Sequence, residues 1–496
     1  MVQSCLIPRK RRQLNACLVP GVCVTPDVEI QGMSLDSRLI EKGDLFIALK
    51  GTHQDGHAFA DSALERGAVA ILAERSIEVP QCPSSVPVIV DANLRQDLGY
   101  IAGRYFGEPS RSMWGCGVTG TNGKTSVAWY SAALLNATGQ RTGFLGTTGW
   151  GIPPELNDSG LTTSDPITLQ RRLADLLHRN SDCFVMEVSS HALSQQRING
   201  VELKCAVFTN LSRDHLDYHS TLECYAEAKK LLFQHTGLKS AIINIDDRVG
   251  SDIASALPKS VRLLTFGRSP RADLHWTGLR FIHSGVATTL RSPWGSYDLE
   301  LPLYGEFNVA NVVAALGVAL MQGRNIDTLT DATRTLEPAP GRMELFPAIN
   351  EKGGAAVVDY AHTPDALAKA LKALRPHTHG RLICVFGCGG NRDRGKRSLM
   401  AQAVEAHADM GWLTTDNPRD ENPQVIIDEV LEGFSINFTP AVEPDRETAI
   451  RAALNAAGAG DTVLIAGKGH ESYQEVGGIR QEFSDRDLVG RIREGR

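Results

Sequence analysis

The sequence predicts a chain of three consecutive α/β domains. Apolar runs of strand length alternate with helical patterns, which is typical of βαβ units. At about 150 residues per domain, the 496 residues suggest three domains. The apolar runs that we interpret as strands are bounded by Gly, Asp or Pro and lie at 45–49, 68–72, 88–90, 184–188, 206–209, 357–359, 382–386, 410–414 and 462–466.

Breaks in this alternation predict the domain boundaries. We expect an N-terminal domain at 1–112, a central domain with a mostly parallel sheet at 113–341 and a C-terminal domain at 342–496. The second boundary lies in the stretch Glu337-Pro338-Ala339-Pro340-Gly341, where prolines and a glycine interrupt any helix or strand.

Composition excludes several classes of protein. Hydrophobic residues make up 42% and charged residues 22%, which is ordinary for a globular protein, and the net charge of −6 gives no general attraction to nucleic acid or anionic membranes. The longest apolar stretch, 309–321, is shorter than the roughly 20 residues that span a bilayer. No secretory signal follows the basic run 9–12, for which we expect a solvated arm. The ten cysteines form no Cys-x-x-Cys pair, which favours a reducing, cytoplasmic location.

The strongest local signal is the glycine loop 120–125, Gly120-Thr121-Asn122-Gly123-Lys124-Thr125, between a strand-like run and a helical pattern at 126–136. Its glycines let backbone N–H groups turn toward a phosphate, and the helix N-terminus adds a positive dipole end. Lys124 can reach the β- and γ-phosphates, and Thr125 can bind Mg²⁺. The first glycine stands three residues before Gly123 rather than five as in the common P-loop. The alternative is a glycine-rich turn without a ligand.

The glycine loop resembles the ATP loop of the Mur ligases and folylpolyglutamate synthases. Further ordered motifs extend the resemblance over nearly the whole chain beyond residue 30, and they are similar to those of the tripeptide-forming Mur ligases. These motifs are Leu35-Asp36-Ser37-Arg38, Gly43-Asp44-Leu45-Phe46, Thr162-Thr163, Glu187-Val188-Ser189-Ser190-His191, Asn210-Leu211-Ser212-Arg213-Asp214-His215-Leu216-Asp217, Gly305-Glu306-Phe307-Asn308 with Asn311, Gly341-Arg342-Met343-Glu344, Asp359-Tyr360-Ala361-His362-Thr363-Pro364, 387–397, Asp416-Asn417-Pro418-Arg419 and Gly467-Lys468-Gly469-His470-Glu471. Ser164 and Ser398 depart from the pattern, because many relatives have proline there.

The resemblance implies an N-terminal UDP-binding domain, a central P-loop-like ATPase domain and a Rossmann-like C-terminal domain that binds an amino acid. It implies an ATP-dependent ligase that adds meso-diaminopimelate to UDP-N-acetylmuramoyl-L-alanyl-D-glutamate through an acyl phosphate, in peptidoglycan precursor synthesis. ATP is the co-substrate and Mg²⁺, as two ions, the cofactor. We expect a monomer with small-molecule substrates, without nucleic acid or membrane insertion.

Three alternatives to this function stay open. The nearest is the same ligase with L-lysine as the acceptor. A P-loop kinase or GTPase is disfavoured, because the sequence has no Asn-Lys-x-Asp guanine motif and a simple GTPase does not need three domains. A nucleotide-gated interaction module without catalysis is the third.

The resemblance also assigns site residues by position. The catalytic residues are Lys124, Lys229, His215 and Glu187, and the metal ligands are Thr125, Glu187, His215 and Lys229 as its carbamate, N6-carboxylysine. The ATP-binding residues are Gly120, Thr121, Asn122, Gly123, Lys124, Thr125, Ser126, Asn308, Asn311, Arg342 and Asp359. The residues for the UDP-muramoyl dipeptide are Leu35, Ser37, Thr52, His53, Gln54, Thr162, Thr163, Ser189, Gln195 and Arg197. Those for diaminopimelate are Arg392, Asp416, Asn417, Pro418, Arg419, Gly467 and Glu471.

Some assignments have physical support of their own, each with an alternative. Glu187 ends an apolar strand, where α/β sheets bind ligands, but it could be a solvated glutamate. Lys229 lies in a helical pattern, and burial would favour the neutral amine that a carbamate requires. The alternative is a solvated helix lysine. Asn308 and Asn311, three residues apart on a helix, share a face, although capping would explain Asn308 as well. For His215 the alternative is a hydrogen-bonded loop histidine.

Arg419 is the natural candidate to select the acceptor. Diaminopimelate differs from lysine by one carboxylate on the distal carbon, and a guanidinium binds a carboxylate with two parallel hydrogen bonds. Glu471 would meet an ammonium group, while Asp416 and Asn417 would orient the distal end. The alternative is a surface turn with a solvated arginine.

Overall fold

The computed structural model describes residues 9–51, 54–79, 82–282 and 284–495. They form two compact units. One unit runs to Ala272 and includes Ala314–Asn325, and the other comprises Asp273–Val313 and the chain from Ile326 onward. The bounds of the three predicted domains stay a prediction. The α/β class and the mostly parallel central sheet are confirmed.

The first unit begins with a small parallel sheet. Its strands lie in the order Gly32–Ser34, Asp44–Ala48, Ala70–Ala73 and Val88–Val90. A separate antiparallel pair consists of Arg12–Gln13 and Glu29–Ile30. The helices of this part are Leu14–Cys17, Ala60–Glu65 and Leu94–Phe106, with 3₁₀ turns at Ser37–Leu39, Gly56–Phe59 and Pro109–Ser112.

The basic run 9–12 is solvated as expected at Arg9, Lys10 and Arg11, which are exposed, but two contacts tie it to the domain. Arg9 forms an ion pair with Asp44, a buried residue of the small sheet. The hydroxyl of Tyr105 donates to the carbonyl oxygen of Lys10 at 2.9 Å. An acidic partner and a buried tyrosine therefore hold the basic run against the domain, which its charge alone did not indicate.

The large sheet of the first unit is parallel except at one end. Its strands lie in the order Glu155–Asn157, Gly149–Ile152, Thr142–Gly146, Cys183–Glu187, Trp114–Thr119, Cys205–Phe208, Ser240–Asn244 and Arg262–Gly267, of which Gly149–Ile152 and Glu155–Asn157 are antiparallel to their neighbours. The helices are Lys124–Ala137, Pro166–His178, Ser190–Ser194, Leu216–His219, Leu222–Lys230 and Arg248–Ala256, with a 3₁₀ turn at Leu231–Gln234.

The second unit contains an antiparallel three-stranded sheet and a six-stranded sheet. The first consists of Leu274–Ile282, Gly285–Ser292 and Gly295–Leu301. The second has the strand order Glu344–Phe346, Ala355–Asp359, Thr462–Ala466, Leu382–Phe386, Met410–Leu413 and Ala441–Val442, parallel except for Glu344–Phe346. A hairpin joins Tyr473–Val476 to Ile479–Glu482.

Helices cover both faces of the six-stranded sheet. In the strand Leu382–Phe386, Cys384 packs in one apolar cluster and its neighbours Ile383 and Val385 pack in another. A strand buried on both faces is a continuous apolar run, which leaves polar side chains for the strand ends. The helices of this unit are Ile326–Ala332, Pro364–Leu374, Lys396–His407, Pro423–Leu431, Arg446–Ala456 and Asp485–Arg493, with 3₁₀ turns at Thr333–Thr335 and Arg375–His377.

The helix Glu306–Met321 has residues in both units. Within the described ranges, no helix is long and apolar enough to cross a membrane.

Candidate functional site

Three neighbouring strands of the first unit end at one edge of the large sheet. Trp114–Thr119 lies between Cys183–Glu187 and Cys205–Phe208, and the three run parallel. Glu187 is the last residue of its strand, as the sequence predicted, and the glycine loop follows the central strand directly. The carboxyl ends of parallel strands are where α/β folds bind ligands. This edge therefore brings together the glycine loop and Glu187.

The glycine loop 120–125 needs glycine at two positions. Gly120 has a φ of 150° and Gly123 a φ of 83°, both in a region that other residues rarely adopt. A Cβ atom at Gly120 would lie 1.8 Å from Thr209 Oγ1. Gly123 is the N-cap of the helix Lys124–Ala137, which begins two residues earlier than the sequence pattern indicated. The helix N-terminus, the positive end of the helix dipole, thus opens directly from the loop.

A neighbouring segment holds the glycine loop in place. The side-chain amide of Asn210 accepts from the N–H of Asn122 at 3.0 Å and donates to its carbonyl oxygen at 3.1 Å. The N–H of Thr121 donates to the carbonyl oxygen of Asn210 at 2.8 Å. The N–H of Ser212 donates to Thr121 Oγ1 at 3.0 Å. The loop is therefore preorganised, and a ligand need not order it.

Two lysines meet at the start of this loop. Lys124 Nζ donates to the carbonyl oxygens of Gly120 and Thr121 at 2.9 and 2.8 Å. Lys229 Nζ donates to the same oxygen of Gly120 at 2.8 Å. It also lies 4.3 Å from the centre of the Tyr225 ring. Lys229, placed by its helix, thus reaches the loop from outside it.

Lys229 is not the solvated helix lysine of the alternative hypothesis. Its residue surface is only 1% exposed, whereas Lys230 beside it is more open and pairs with Glu227. Burial lowers the pKa of Lys229 well below its ordinary value, and the positive charge of Lys124 lowers it further. Both causes favour the neutral amine.

Glu187 is buried at the strand edge and held by one threonine. Its carboxylate accepts from the backbone N–H of Thr147 at 2.7 Å. Thr147 Oγ1 lies 3.2 Å from Glu187 Oε2 and 3.0 Å from the hydroxyl oxygen of Thr162. The alternative of a solvated glutamate is therefore wrong, since Glu187 is 1% exposed.

Four residues predicted to bind the dipeptide form a hydrogen-bonded chain beside Glu187. The hydroxyl of Thr163 donates to the Glu187 carbonyl oxygen at 2.8 Å and accepts from the N–H of Ser189 at 3.1 Å. Arg197 Nη1 donates to the carbonyl oxygen of Thr163 at 2.9 Å. Arg197 Nη2 also donates to the Gln195 side chain at 2.6 Å. Burial lowers the pKa of Arg197.

The Ser189 hydroxyl has a local role as well. It accepts from the N–H of Ala192 at 3.1 Å and so caps the short helix Ser190–Ser194. Capping is the usual reason for serine at this position, so substrate contact by its hydroxyl stays a prediction.

His215 lies in the loop after the strand Cys205–Phe208, with a φ of 52°. Its side chain is 45% exposed, and its ring centre lies 5.0 Å from that of His191. The ring of His191 in turn packs against Tyr218, whose hydroxyl accepts from Gln195 at 3.1 Å. This series of contacts connects His215 with the residues predicted to bind the dipeptide.

The oxygen atoms at this edge suit a magnesium ion. Thr125 is buried at the helix start and offers a hydroxyl, and Glu187 offers a carboxylate. A carboxylate can accept about four hydrogen bonds or metal contacts, and Glu187 has two contacts from Thr147. Hard oxygen donors are what Mg²⁺ prefers, so the donor set fits, with the nitrogen of His215 as the exception. In the part of the chain that the structure describes, no group of three or more His, Cys, Asp or Glu side chains forms a metal site.

The residues assigned to the UDP part lie on a different sheet. Leu35 and the buried Ser37 follow the strand Gly32–Ser34 of the small sheet. Gln54 is exposed after the next strand, and its carbonyl oxygen accepts from the N–H of Gly51 at 2.8 Å. The other two assignments, Thr52 and His53, lie outside the described residues.

Asn308 and Asn311 contact each other, as their spacing predicted. Both are buried on the helix Glu306–Met321, and Asn311 Nδ2 lies 3.3 Å from Asn308 Oδ1. Asn308 also donates to the carbonyl oxygen of Tyr304 at 2.9 Å. Asn308 lies inside the helix, and its side-chain amide connects Tyr304, which precedes the helix, with Asn311 in the next turn.

Arg342 and Asp359 lie near each other in the second unit. The Arg342 guanidinium lies 4.5 Å from the centre of the Tyr360 ring. Asp359, at the end of its strand, accepts from the N–H of Met343 at 2.8 Å. Removal from solvent raises the pKa of Asp359, while the charge of Arg342 opposes this rise.

The predicted acceptor residues Asp416, Asn417 and Gly467 follow two strands of the six-stranded sheet that lie on either side of the strand Leu382–Phe386. Asp416 and Asn417 are buried after the strand Met410–Leu413, and Gly467 follows Thr462–Ala466. Gly467 has a φ of 113°, and a Cβ atom there would lie 2.5 Å from Asp416 Oδ2. The positive φ favours glycine at this position.

Arg419 is fixed by its backbone and its side chain. Its φ is 53°, unusual for a residue with a side chain, and it is held there by hydrogen bonds to the hairpin. Its N–H donates to the Glu475 carbonyl oxygen at 3.0 Å, and its own carbonyl oxygen accepts from Gly477 at 2.6 Å. Arg419 Nη1 donates to the carbonyl oxygen of Gly390 at 2.7 Å. It is therefore not the solvated arginine of a surface turn.

A hydrogen-bond network joins the two acceptor loops. Asn417 Nδ2 donates to Glu471 Oε2 at 2.8 Å. Lys468 Nζ donates to Glu471 Oε2 and to Asn417 Oδ1, each at 3.1 Å. Pro418 is buried in the same turn, whereas Arg392 is exposed on its loop.

The sequence reasoning missed four residues that hold candidate site residues in place, three in the first unit and one in the second. Each acts through a contact with a residue far away in the chain, and Asn210 and Lys468 lay inside motifs that were recognised without being assigned a role. The four are Thr147, Asn210, Tyr225 and Lys468, and their distant partners are Glu187, Asn122, Thr121 and Asn417, in that order.

Comparison with known proteins finds three matching domain families. The model of the Mur ligase family, catalytic domain, matches residues 29–105, the Mur ligase middle domain matches 118–319, and the Mur ligase, glutamate ligase domain matches 341–469.

Relatives with high identity carry one name. The UDP-N-acetylmuramoyl-L-alanyl-D-glutamate–2,6-diaminopimelate ligase of Pseudomonas syringae pv. tomato is 45% identical over 464 residues, or 92% of this chain and 94% of that protein. The ligase of the same name from Chromobacterium violaceum is 43% identical over 471 residues, or 94% of each chain.

Solved structures agree as well. A structure of a ligase of that name superposes with a TM-score of 0.70 at 39% identity, covering 98% of this chain and 99% of that one. Folylpolyglutamate synthase of Mycobacterium tuberculosis shares the fold, with a TM-score of 0.63 at 19% identity over 80% of this chain and 94% of that one. The three domain matches and these identities show that the chain belongs to the Mur ligase family.

Proposed function

We propose that the chain joins meso-diaminopimelate to UDP-N-acetylmuramoyl-L-alanyl-D-glutamate at the expense of ATP, in peptidoglycan precursor synthesis. Relatives that carry the name of this ligase are 43% and 45% identical over at least 92% of both chains. The observation that carries the choice of acceptor is the fixed set of Arg419, Asn417 and Glu471. A guanidinium, an amide and a carboxylate in two adjoining loops match an amino acid with an additional carboxylate and ammonium group.

The glycine loop binds the phosphates of ATP in this proposal. Its backbone N–H groups face the phosphate oxygens, and Lys124 exchanges its bonds with the loop carbonyls for the β- and γ-phosphates. Ser126, buried on the first helical turn, belongs to the same region. The assignments of Asn308, Asn311, Arg342 and Asp359 to the remainder of the nucleotide stay predictions.

The reaction has two steps. An oxygen of the D-glutamate γ-carboxylate attacks the γ-phosphorus, the bond to ADP breaks, and an acyl phosphate forms. The amino group at the L-centre of diaminopimelate then attacks the acyl carbon, loses a proton, and phosphate leaves. Transfer of a phosphoryl group depends mainly on positioning and on neutralising charge, which is the role of Lys124.

Mg²⁺ would lie against Thr125, Glu187, His215 and the carbamate of Lys229. When bound, it neutralises the negative charge of the phosphates. Thr147 orients the Glu187 carboxylate toward this position through its N–H and hydroxyl groups.

The carbamate forms when the neutral amine of Lys229 attacks CO₂ and releases a proton. Burial and the neighbouring charge of Lys124 support this proposal, because both lower the amine's pKa. The product is an anion with two oxygen donors, the kind of ligand that Mg²⁺ prefers, and a bound cation would compensate its buried charge.

The dipeptide would lie along the chain of Thr163, Gln195 and Arg197. Arg197 is the cationic member, and its guanidinium is already oriented by Gln195 and by the Thr163 carbonyl oxygen. An oriented guanidinium is suited to a substrate carboxylate. Leu35, Ser37 and Gln54 would contact the UDP part, and a monomer in the cytoplasm is the expected setting.

Phosphate release tests this function directly. The purified chain is incubated with ATP, Mg²⁺, UDP-N-acetylmuramoyl-L-alanyl-D-glutamate and meso-diaminopimelate, and each component is omitted in turn. We expect ADP and phosphate only with the complete mixture. Phosphate release without the muramoyl substrate would indicate a simple ATPase, and nucleotide binding without turnover would indicate an interaction module.

A further inference from the structure

We infer that Lys468 is a positioning residue for the acceptor amino acid, because it fixes the Glu471 carboxylate that receives the acceptor's ammonium group. This inference rests on the proposed function. Lys468 is fully buried, with 0% of its surface exposed, so it acts on the substrate through its neighbours.

The contacts of Lys468 form a triangle. Its Nζ atom lies 3.1 Å from Glu471 Oε2 and 3.1 Å from Asn417 Oδ1. The third side is the 2.8 Å hydrogen bond from Asn417 Nδ2 to Glu471 Oε2. Three side chains from two loops therefore fix one another's positions. Truncation of any one of them would change the positions of the other two.

Lys468 also determines which way the Asn417 amide points. The two ends of an asparagine amide have nearly the same shape, so its hydrogen-bond partners decide its orientation. Lys468 Nζ and the N–H of Glu475, at 3.0 Å, both donate to Oδ1. The Nδ2 end must then face Glu471, as observed.

The charges lead to the same conclusion. A buried ammonium group requires an anionic partner, and Glu471 is that partner, three residues away on the same turn. Both side-chain hydrogen bonds to Glu471 use Oε2. We therefore assign the other oxygen, Oε1, to the ammonium group of the acceptor. With an apolar residue at position 468, the Glu471 carboxylate could rotate. Its Oε1 atom would then no longer be held in position for the acceptor's ammonium group.

The test compares Lys468→Met with Lys468→Arg and a matched control. Lys369→Met is the control, since Lys369 lies in the same unit, is 52% exposed and pairs with Asp365 on a helix. Initial rates are measured with varied diaminopimelate at saturating ATP and muramoyl substrate. Thermal unfolding is recorded for each variant.

We expect Lys468→Met to raise the KM for diaminopimelate by about tenfold or more, with kcat and the KM for ATP within about twofold. Lys468→Arg keeps the charge and should recover part of the loss, and Lys369→Met should match the wild type. A purely structural role would lower kcat or all affinities together. That result, or an unchanged KM for diaminopimelate, would overturn the inference.

A second comparison remains decisive if Lys468→Met does not fold. The double variant Lys468→Met/Glu471→Gln removes both buried charges, and it is compared with Glu471→Gln alone. If Lys468 acts through Glu471, the two should have KM values for diaminopimelate within about threefold. A further tenfold rise in the double variant would contradict the inference. Absence of diaminopimelate-dependent product with the wild type would contradict the proposed function itself.

Discussion

Lys124 and Lys229 donate to the same backbone atom, the carbonyl oxygen of Gly120, at 2.9 and 2.8 Å. Two cations that share one acceptor repel each other, and Lys229 is the more deeply buried. Its pKa is lowered for both reasons. Lys124, which would neutralise phosphate charge, therefore also favours the neutral amine of Lys229, which would take up CO₂.

Lys124→Ala should lower kcat by about 10²-fold or more, because a fixed positive charge at the transferring phosphate is lost. The fold should persist, since the hydrogen bonds of the Lys124 side chain to the Gly120 and Thr121 carbonyl oxygens lie within the loop and not in the core. The measurements are phosphate release and thermal unfolding. Lys204→Ala, which removes a surface pair with Glu202, is the control. Near-normal turnover by Lys124→Ala would mean that the glycine loop is not the catalytic ATP site.

Lys229→Ala should lose most of its activity, and short carboxylic acids at high concentration should restore part of it by replacing the carbamate. Lys230→Ala is the matched control, because Lys230 is adjacent but pairs with Glu227 at the surface. The mass of the intact protein provides a second readout, because a carbamate adds the mass of CO₂ to the wild type and not to Lys229→Ala. Full activity in CO₂-free buffer with an unmodified Lys229 would refute the carbamate.

The buried amine should also give stability a characteristic pH dependence in CO₂-free buffer. The pKa of Lys229 is lowered in the folded state, while in the unfolded state it has its ordinary value of about 10.5. Between these two values the unfolded chain binds more protons, so the free energy of unfolding rises with pH. Below the folded-state pKa this contribution is constant. Lys229→Met should lack this rise. The free energy of unfolding of both proteins is measured at a series of pH values across this window, and the same pH dependence in both would contradict the lowered pKa.

Thr147→Val should raise the Mg²⁺ concentration needed for half-maximal activity by about tenfold, because Glu187 loses its contact with the threonine hydroxyl. Valine has nearly the same shape, and the backbone N–H of residue 147 remains to hold the carboxylate. Rates are measured across a Mg²⁺ titration at fixed ATP. An unchanged Mg²⁺ dependence would show that this hydroxyl does not position a metal ligand.

Arg419→Ala should raise the KM for diaminopimelate strongly and leave the KM for ATP nearly unchanged. A carboxylate bound by two hydrogen bonds loses its partner, and a lysine side chain would not restore the planar geometry. Arg419→Lys should therefore also be impaired. If both variants bind diaminopimelate normally, Arg419 does not recognise the distal carboxylate.

Much of the fold could be predicted from the sequence, because buried parallel strands are continuous apolar runs. The strands Val88–Val90, Leu382–Phe386 and Thr462–Ala466 coincide with the predicted runs. The antiparallel strands of the second unit gave no such signal. Leu274–Ile282, for example, exposes many of its residues and so lacks an apolar run.

The site could be predicted only where a motif is contiguous in the chain. Glu187 ends a strand that is visible in the sequence, and Lys124 lies in the loop that follows another. The roles of Thr147 and Lys468 depend on partners 40 and 51 residues away, Glu187 and Asn417. No local pattern contains such distances, so these contacts required the folded structure.

The most direct test is the mass of the product formed from each amino acid. The wild-type chain is incubated with ATP, Mg²⁺ and UDP-N-acetylmuramoyl-L-alanyl-D-glutamate, and either meso-diaminopimelate or L-lysine. We expect the diaminopimelate adduct and a preference over lysine of about 10⁴-fold in kcat/KM, since lysine leaves a buried polar partner unpaired. Equal use of the two amino acids, or a lysine adduct alone, would contradict the assignment of the acceptor.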